Sequence, residues 1–130
     1  MDFSLFYFAD DGGSSTDRYR LLIEGARFAD THGFAAVWTP ERHFHAFGGQ
    51  YPYPAVTGAA VAAVTERVRL GSLVTPPLFR NAAVFAKQLA TIDHIAGGGR
   101  VIAGLGAGWF EAEYLGYGAP FPPIGERLKA

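Results

Sequence analysis

Cysteine is absent from the 130 residues, which excludes disulfides and thiolate zinc sites and fits a reducing compartment. An excess of charge of one sign is lacking too: 11 Lys and Arg face 12 Asp and Glu, for a net charge of -1. With no basic cluster or basic helix face, a nucleic-acid partner is not expected. No apolar run approaches the roughly 20 residues that cross a bilayer. Met1-Asp2-Phe3 opens the chain with neither a basic segment nor a long apolar one. The expectation is a cytoplasmic protein with no membrane partner. No linker or low-complexity segment divides the chain, so it reads as one domain, residues 1–130. A composition 49% hydrophobic and 18% charged is that of a globular protein able to bury one modest core.

Four short apolar runs recur at a regular interval: Phe3 to Ala9, Phe34 to Thr39, Val68 to Thr75 and Arg100 to Gly106. They are mostly continuous rather than alternating, as parallel strands covered on both faces are. Helical patterns separate them. Tyr19, Leu22, Ile23 and Ala26 share one helical face, with Ser14 or Ser15 as N-cap and Gly33 as the stop. Pro54 opens an Ala/Val-rich helix running to about Arg67. Asn81 caps a third helix, on which Phe85, Leu89 and Ile92 sit at i, i+4 and i+7, and Gly97-Gly98-Gly99 ends it. After the turn Pro120-Phe121-Pro122-Pro123, Ile124 to Ala130 begins another helix. On the first strand Phe3, Leu5 and Tyr7 are expected in the core, with Ser4, Phe6 and Phe8 on the other side. This is an α/β chain, a parallel (β/α) array with right-handed crossovers. A doubly wound sheet and a TIM-type (β/α)8 barrel both begin this way. Four strands are half of what a barrel needs, and they leave two edges and an apolar face to be covered.

In a parallel array, functional side chains gather at the carboxyl ends of the strands. The first end offers Ala9, Asp10 and Asp11, and the third Val74-Thr75-Pro76-Pro77. The fourth offers Gly104-Leu105-Gly106-Ala107-Gly108-Trp109. The second is the richest: Thr39-Pro40-Glu41-Arg42-His43-Phe44-His45 follows directly on Phe34-Ala35-Ala36-Val37-Trp38. Near neutrality His43 can donate or accept a proton, biased in opposite directions by Glu41 and Arg42. The alternative is a polar loop in which His43 and Glu41 hydrogen-bond the backbone. On extended backbone His43 and His45 would face one side, and with Glu41 they match a two-histidine, one-carboxylate ligand set. All three ligands would then sit within one short run beside the Arg42 cation, so no metal is assigned. Gly104-x-Gly106-x-Gly108 fails the spacing of the dinucleotide fingerprint. Its glycines suit either the close approach of a flat ring walled by Trp109 and Phe110, or tight strand-to-helix packing. Glu111 and Glu113 do not face each other on a helix and read as a solvated face.

Taken together, these segments resemble the luciferase-like flavin-dependent monooxygenases. The resemblance is carried by Met1-Asp2-Phe3-Ser4-Leu5-Phe6-Tyr7-Phe8, by Trp38-Thr39-Pro40-Glu41-Arg42-His43-Phe44 and by Gly48-Gly49-Gln50-Tyr51-Pro52. It continues through Leu70-Gly71-Ser72-Leu73-Val74-Thr75-Pro76, Asp93-His94-Ile95-Ala96-Gly97-Gly98, the run from Gly104 to Trp109, and Tyr117-Gly118. It implies the N-terminal half of a (β/α)8 barrel, truncated after about four βα units. By the same resemblance a flavin ring lies over the strand ends, with Glu41, Leu73, Val74, Thr75, Gly106, Ala107 and Trp109 in the cofactor site. The family's non-proline cis peptide falls between Leu73 and Val74. The implied roles are proton handling for His43, orientation of that histidine or the ring for Glu41, and binding of an anionic group for Arg42. Luciferases proper carry Glu-His-His here, and the first of those histidines aligns with Arg42, so their base is not carried over. His43 instead matches the histidine of the related deazaflavin-dependent reductases. In the family the cofactor phosphate is held largely by later barrel loops, beyond these four units.

The cofactor implied is FMN, or alternatively an 8-hydroxy-5-deazaflavin coenzyme. The reaction implied is oxidation of a small organic substrate with reduced flavin and oxygen, the reduced flavin supplied by a partner flavin reductase. The alternative is hydride transfer with the deazaflavin through the same His43. A reading of a different class is a non-catalytic half-barrel module, covered by forming a homo-oligomer or by pairing with a C-terminal half.

Overall fold

Leu5, Val37, Leu70 and Val101 lie side by side across one parallel sheet, and their neighbours Phe6, Trp38, Gly71 and Ile102 form the next row on its opposite face. The computed structural model describes residues 1–8 and 17–129, and of Phe79 the backbone alone. The strands are β1 (Ser4–Phe6), β2 (Ala36–Thr39), β3 (Arg69–Ser72) and β4 (Val101–Ile102), paired in the order β1-β2-β3-β4. Three helices connect them: α1 (Arg20–Thr31), α2 (Pro54–Ala62) and α3 (Ala82–Ile95). A 3-10 turn, Pro77–Phe79, precedes α3, and α4 (Glu111–Gly116) and α5 (Ile124–Arg127) follow β4.

Leu22, Ala26 and Ala29 of α1, Val61 and Ala62 of α2, and Ile92 of α3 share one buried cluster with Val37 and Leu70. All three connecting helices therefore cover the same face. A doubly wound sheet would reverse strand order and place helices on both faces. Sequential order with one covered face is the geometry of a barrel sector, which resolves the ambiguity left by periodicity. The opposite face carries Phe6 and Phe8, whose rings meet edge to face at 4.3 Å, and Phe8 stacks on Phe47 at 5.2 Å.

Several expectations are met and several are displaced. The Asn81 side chain accepts the Val84 N–H at 3.1 Å, capping α3 as its sequence indicates. Gly97, Gly98 and Gly99 follow that helix with φ of 83°, 90° and 78°, a run of left-handed backbone that side chains would oppose. α1 begins only at Arg20, with Tyr19 at the N-cap position and no side-chain cap. The expected caps Ser14 and Ser15 lie outside the described residues, as do Ala9, Asp10 and Asp11. Leu5 and Tyr7 pack on the core, but Phe3 is 64% exposed because the strand begins only after it.

α2 stops at Ala62, short of Arg67, because long-range polar groups claim the next turn. Buried Arg100 donates to the Ala62, Thr65 and Val68 carbonyls, and Asp30 accepts the N–H groups of Glu66, Arg67 and Val68 at 2.7–2.9 Å. The device recurs one unit later. Asp93 accepts the N–H groups of Gly99, Arg100 and Val101, fixing the entry to β4. Burial alone would raise the Asp30 carboxyl, but those three N–H groups and Arg67 together hold it below the usual value. The Gly99 and Val101 N–H groups chiefly lower Asp93.

Both folded-state values lie below the ordinary 3.8, so the stability they contribute is full above that pH and is lost as pH falls through the folded values. Urea midpoints should fall on acidification through this range, and a D30N/D93N variant should lose stability at neutral pH while showing a shallower acid decline. Packing makes a second prediction. A Cβ at Gly104 would lie 2.0 Å from the Ser72 carbonyl oxygen, an immovable backbone atom. Gly104→Ala should lower unfolding free energy by about 1–3 kcal/mol, the usual cost of overpacking, as read by chemical denaturation.

Candidate functional site

β2 ends at Thr39, and Pro40 turns the chain so that Glu41 and His43 are carried inward. Gly48 packs against the Arg42 stem with φ of 82°, and the Arg42 N–H donates to the Tyr51 carbonyl, closing the loop on itself. The Glu41 side chain is 1% exposed and that of His43 7%. Their contact is direct: His43 Nε2 lies 2.9 Å from Glu41 Oε1. Arg80, just past the 3-10 turn, donates to the same oxygen. A buried carboxylate is tolerable only with such partners. Glu41 Oε2 is buried with no hydrogen-bond partner among the described residues.

The fourth strand end supplies the other side. Glu113 of α4 is 3% exposed, and its Oε1 accepts the His43 N–H at 2.9 Å and lies 3.8 Å from Arg42 Nη1. The expectation of a solvated Glu111–Glu113 face is thus wrong for Glu113, because α4 turns it onto the β2 loop; Glu111 is exposed. Tyr117, one turn further on, places its hydroxyl 2.8 Å from His43 Nδ1. Burial first, then the nearby Glu41 carboxylate, raises the Tyr117 phenol above its usual value, so it stays protonated at neutral pH. Arg42 stacks over Trp109 at 5.0 Å from the ring centroid. Two clefts share His43 and Tyr117: one of about 180 Å³ lined also by Glu41, Arg80 and Gln88, and one of about 470 Å³ lined also by Arg42 and His45.

His45 does not join His43. Phe44 has φ of 55°, so the backbone is not extended there, and exposed His45 packs edge-on against Phe110. No cluster with metal-ligand composition occurs among the described residues. Nor is any helix among them long and apolar enough to cross a membrane. Leu73 and Val74 stand exposed at the end of β3, joined by a cis peptide as expected. Thr75 is buried and bridges in parallel to Leu105, which together with Trp109 is exposed. Gly106 and Ala107 are half-buried between them. The glycines have packing duties: a Cβ at Gly106 would come within 2.9 Å of Val74, and one at Gly108 within 2.9 Å of Tyr114.

Residues 1–129 match the family model described as luciferase-like monooxygenase. The chain belongs to that family. Among solved structures it is similar to the monooxygenase RslO1 from Streptomyces bottropensis, with a TM-score of 0.89 and 30% identity over 99% of this chain and 40% of that one. It is 38% identical to an F420-dependent glucose-6-phosphate dehydrogenase of Nocardia farcinica, over 84% of this chain and 33% of the relative. It is 31% identical to an FMNH2-dependent dimethylsulfone monooxygenase of Pseudomonas putida, over 80% and 28% respectively. The chain spans less than half the length of the curated relatives it matches.

Arg80, Glu113 and Tyr117 were not singled out as site residues from the sequence. The i, i+4 spacing of Glu113 and Tyr117 was the available signal, since it sets both on one face of a helix. Arg80 carries no periodic signal. Among the described residues, its removal would leave His43 as the partner of the buried Glu41 side chain. Arg80→Ala should therefore cost about 3 kcal/mol in urea unfolding, and adding Glu41→Gln should recover part of that loss.

Proposed function

We propose that this chain forms the ring-binding and proton-handling wall of a flavin-dependent oxidoreductase that oxidises a small organic substrate. The observation that carries the reading is the juxtaposition of two surfaces on adjacent strand ends. One is apolar and exposed, made of Leu73, Val74, Leu105 and Trp109. The other is the buried polar set of Glu41, His43, Arg80 and Tyr117. The apolar residues suit the face of a planar isoalloxazine, and Glu41 Oε2 is a buried acceptor without a partner among the described residues. Leu73, Val74, Thr75, Gly106, Ala107 and Trp109 would hold the ring. When bound, the cofactor supplies the two-electron redox chemistry. The protein residues supply position and protons. His43 holds a proton at Nε2 against Glu41, Arg80 donates to that carboxylate, and Arg42, set between Glu113 and Trp109, presents a cation at the edge of the larger cleft.

Reduced FMN with oxygen is the reading favoured by the similarity to RslO1 and to the FMNH2-dependent relative, with a flavin reductase as the supplying partner. The identity to an F420-dependent dehydrogenase favours a second reading, hydride transfer with a deazaflavin over the same wall. In either case the open face bearing Phe6 and Phe8 is where the remaining half of a barrel, or a second copy, would pack.

Fluorescence titration of FMN with the 130-residue chain tests this proposal. Saturable quenching is expected, weakened at least about tenfold by Val74→Asp, which sets an unpaired charge on the apolar platform. Quenching that never saturates, or that ignores Val74→Asp, contradicts it.

A further inference from the structure

Neither ring nitrogen of His43 is left for a bound molecule. Nε2 faces Glu41 Oε1 at 2.9 Å and Nδ1 faces the Tyr117 hydroxyl at 2.8 Å. The partners assign the tautomer. Glu41 Oε1 accepts from Arg80 and is an acceptor towards the ring as well, so Nε2 carries the hydrogen. In the neutral imidazole Nδ1 is then the acceptor, and the Tyr117 O–H donates to it. His43 is buried, whereas Tyr117 is 49% exposed and lines both clefts. Around this pair stand Glu41 and Arg80 on one side and Glu113 and Arg42 on the other, while Tyr53 lines the smaller cleft and His45 the larger one beside Tyr117.

We infer that Tyr117 is the positioning residue of the site, and that its hydroxyl is the path by which protons enter and leave His43. A proton arriving from the cleft bonds to the phenol oxygen as that oxygen passes its own proton to Nδ1. The phenol ends neutral and the ring becomes imidazolium, bonded through Nε2–H to Glu41. The reverse movement returns the proton to the cleft. Electrons stay in place throughout, and no co-reactant is needed. The inference deepens the oxidoreductase reading and rests on it for its purpose, but its geometry involves this chain's own residues only.

The test is nitrogen-15 NMR of the uniformly labelled 130-residue chain without cofactor. Its 4 histidines are separated by comparison with His43→Gln. Above neutral pH, His43 should show a protonated Nε2 and an unprotonated Nδ1 shifted as a hydrogen-bond acceptor. Tyr117→Phe keeps the ring and removes the hydroxyl. It should move the Nδ1 resonance towards that of a free nitrogen, leave Nε2 protonated, and slow proton exchange at Nδ1, read from the broadening of that resonance as pH is lowered, at least about tenfold, the low end of what a positioned acid-base group contributes. An Nδ1–H tautomer in the wild-type chain overturns the inference whether or not the variant folds. So does exchange in Tyr117→Phe that is unchanged or faster. Failure of FMN to bind would sink the oxidoreductase reading and leave these spectra unaffected, so the two failures are distinguishable.

Discussion

The Glu41 carboxylate is the constraint on which the upper end of this fold depends. It is buried, and a buried anion is stable only when cations and donors surround it. Meeting that requirement recruits Arg80 from beyond β3 and His43 from the β2 loop. His43 in turn engages Glu113 through its backbone and Tyr117 through its ring. Three separate strand ends are thereby held as one unit around a single charge. Such a network is more than a sum of contacts, since losing one member strands another in a low-dielectric interior.

The opposite end of the sheet is held by a different and repeated device. Asp30 and Asp93 each accept a fan of N–H groups at the entry to the next strand. Arg67 and Arg100 each satisfy carbonyls at the end of a preceding helix. These contacts answer the accounting demand that buried backbone groups be paired. They make the amino ends of the strands a fixed base and leave the carboxyl ends to carry chemistry, the division of labour general to parallel arrays.

Much of this was legible in the sequence, and the exceptions share a cause. The four strand positions, the Asn81 cap, the glycine stop after α3 and the Glu41-Arg42-His43 strand end all follow from local pattern. Local pattern also suggested that Glu113 was solvated, because Glu111 and Glu113 do not face each other on a helix. Its burial comes from His43, 70 positions away. The early end of α2 likewise comes from Arg100 and Asp30, neither of which lies near it in sequence. Phe3 looked like core on alternation alone, but the strand pairing begins after it. Periodicity reports which face a residue occupies. It does not report which distant polar group will claim it.

The network explains how a loop rich in charge can be held in place. The most direct measurement of that claim is native-state amide hydrogen exchange at His43, whose N–H is held by the side chain of Glu113 rather than by a backbone carbonyl of a strand or helix. The account predicts protection comparable with that of Val37 and Leu70 in the central strands. Exchange of the His43 amide at the rate of an unstructured peptide would contradict it, because the β2 loop and α4 would then not be joined through the buried carboxylates.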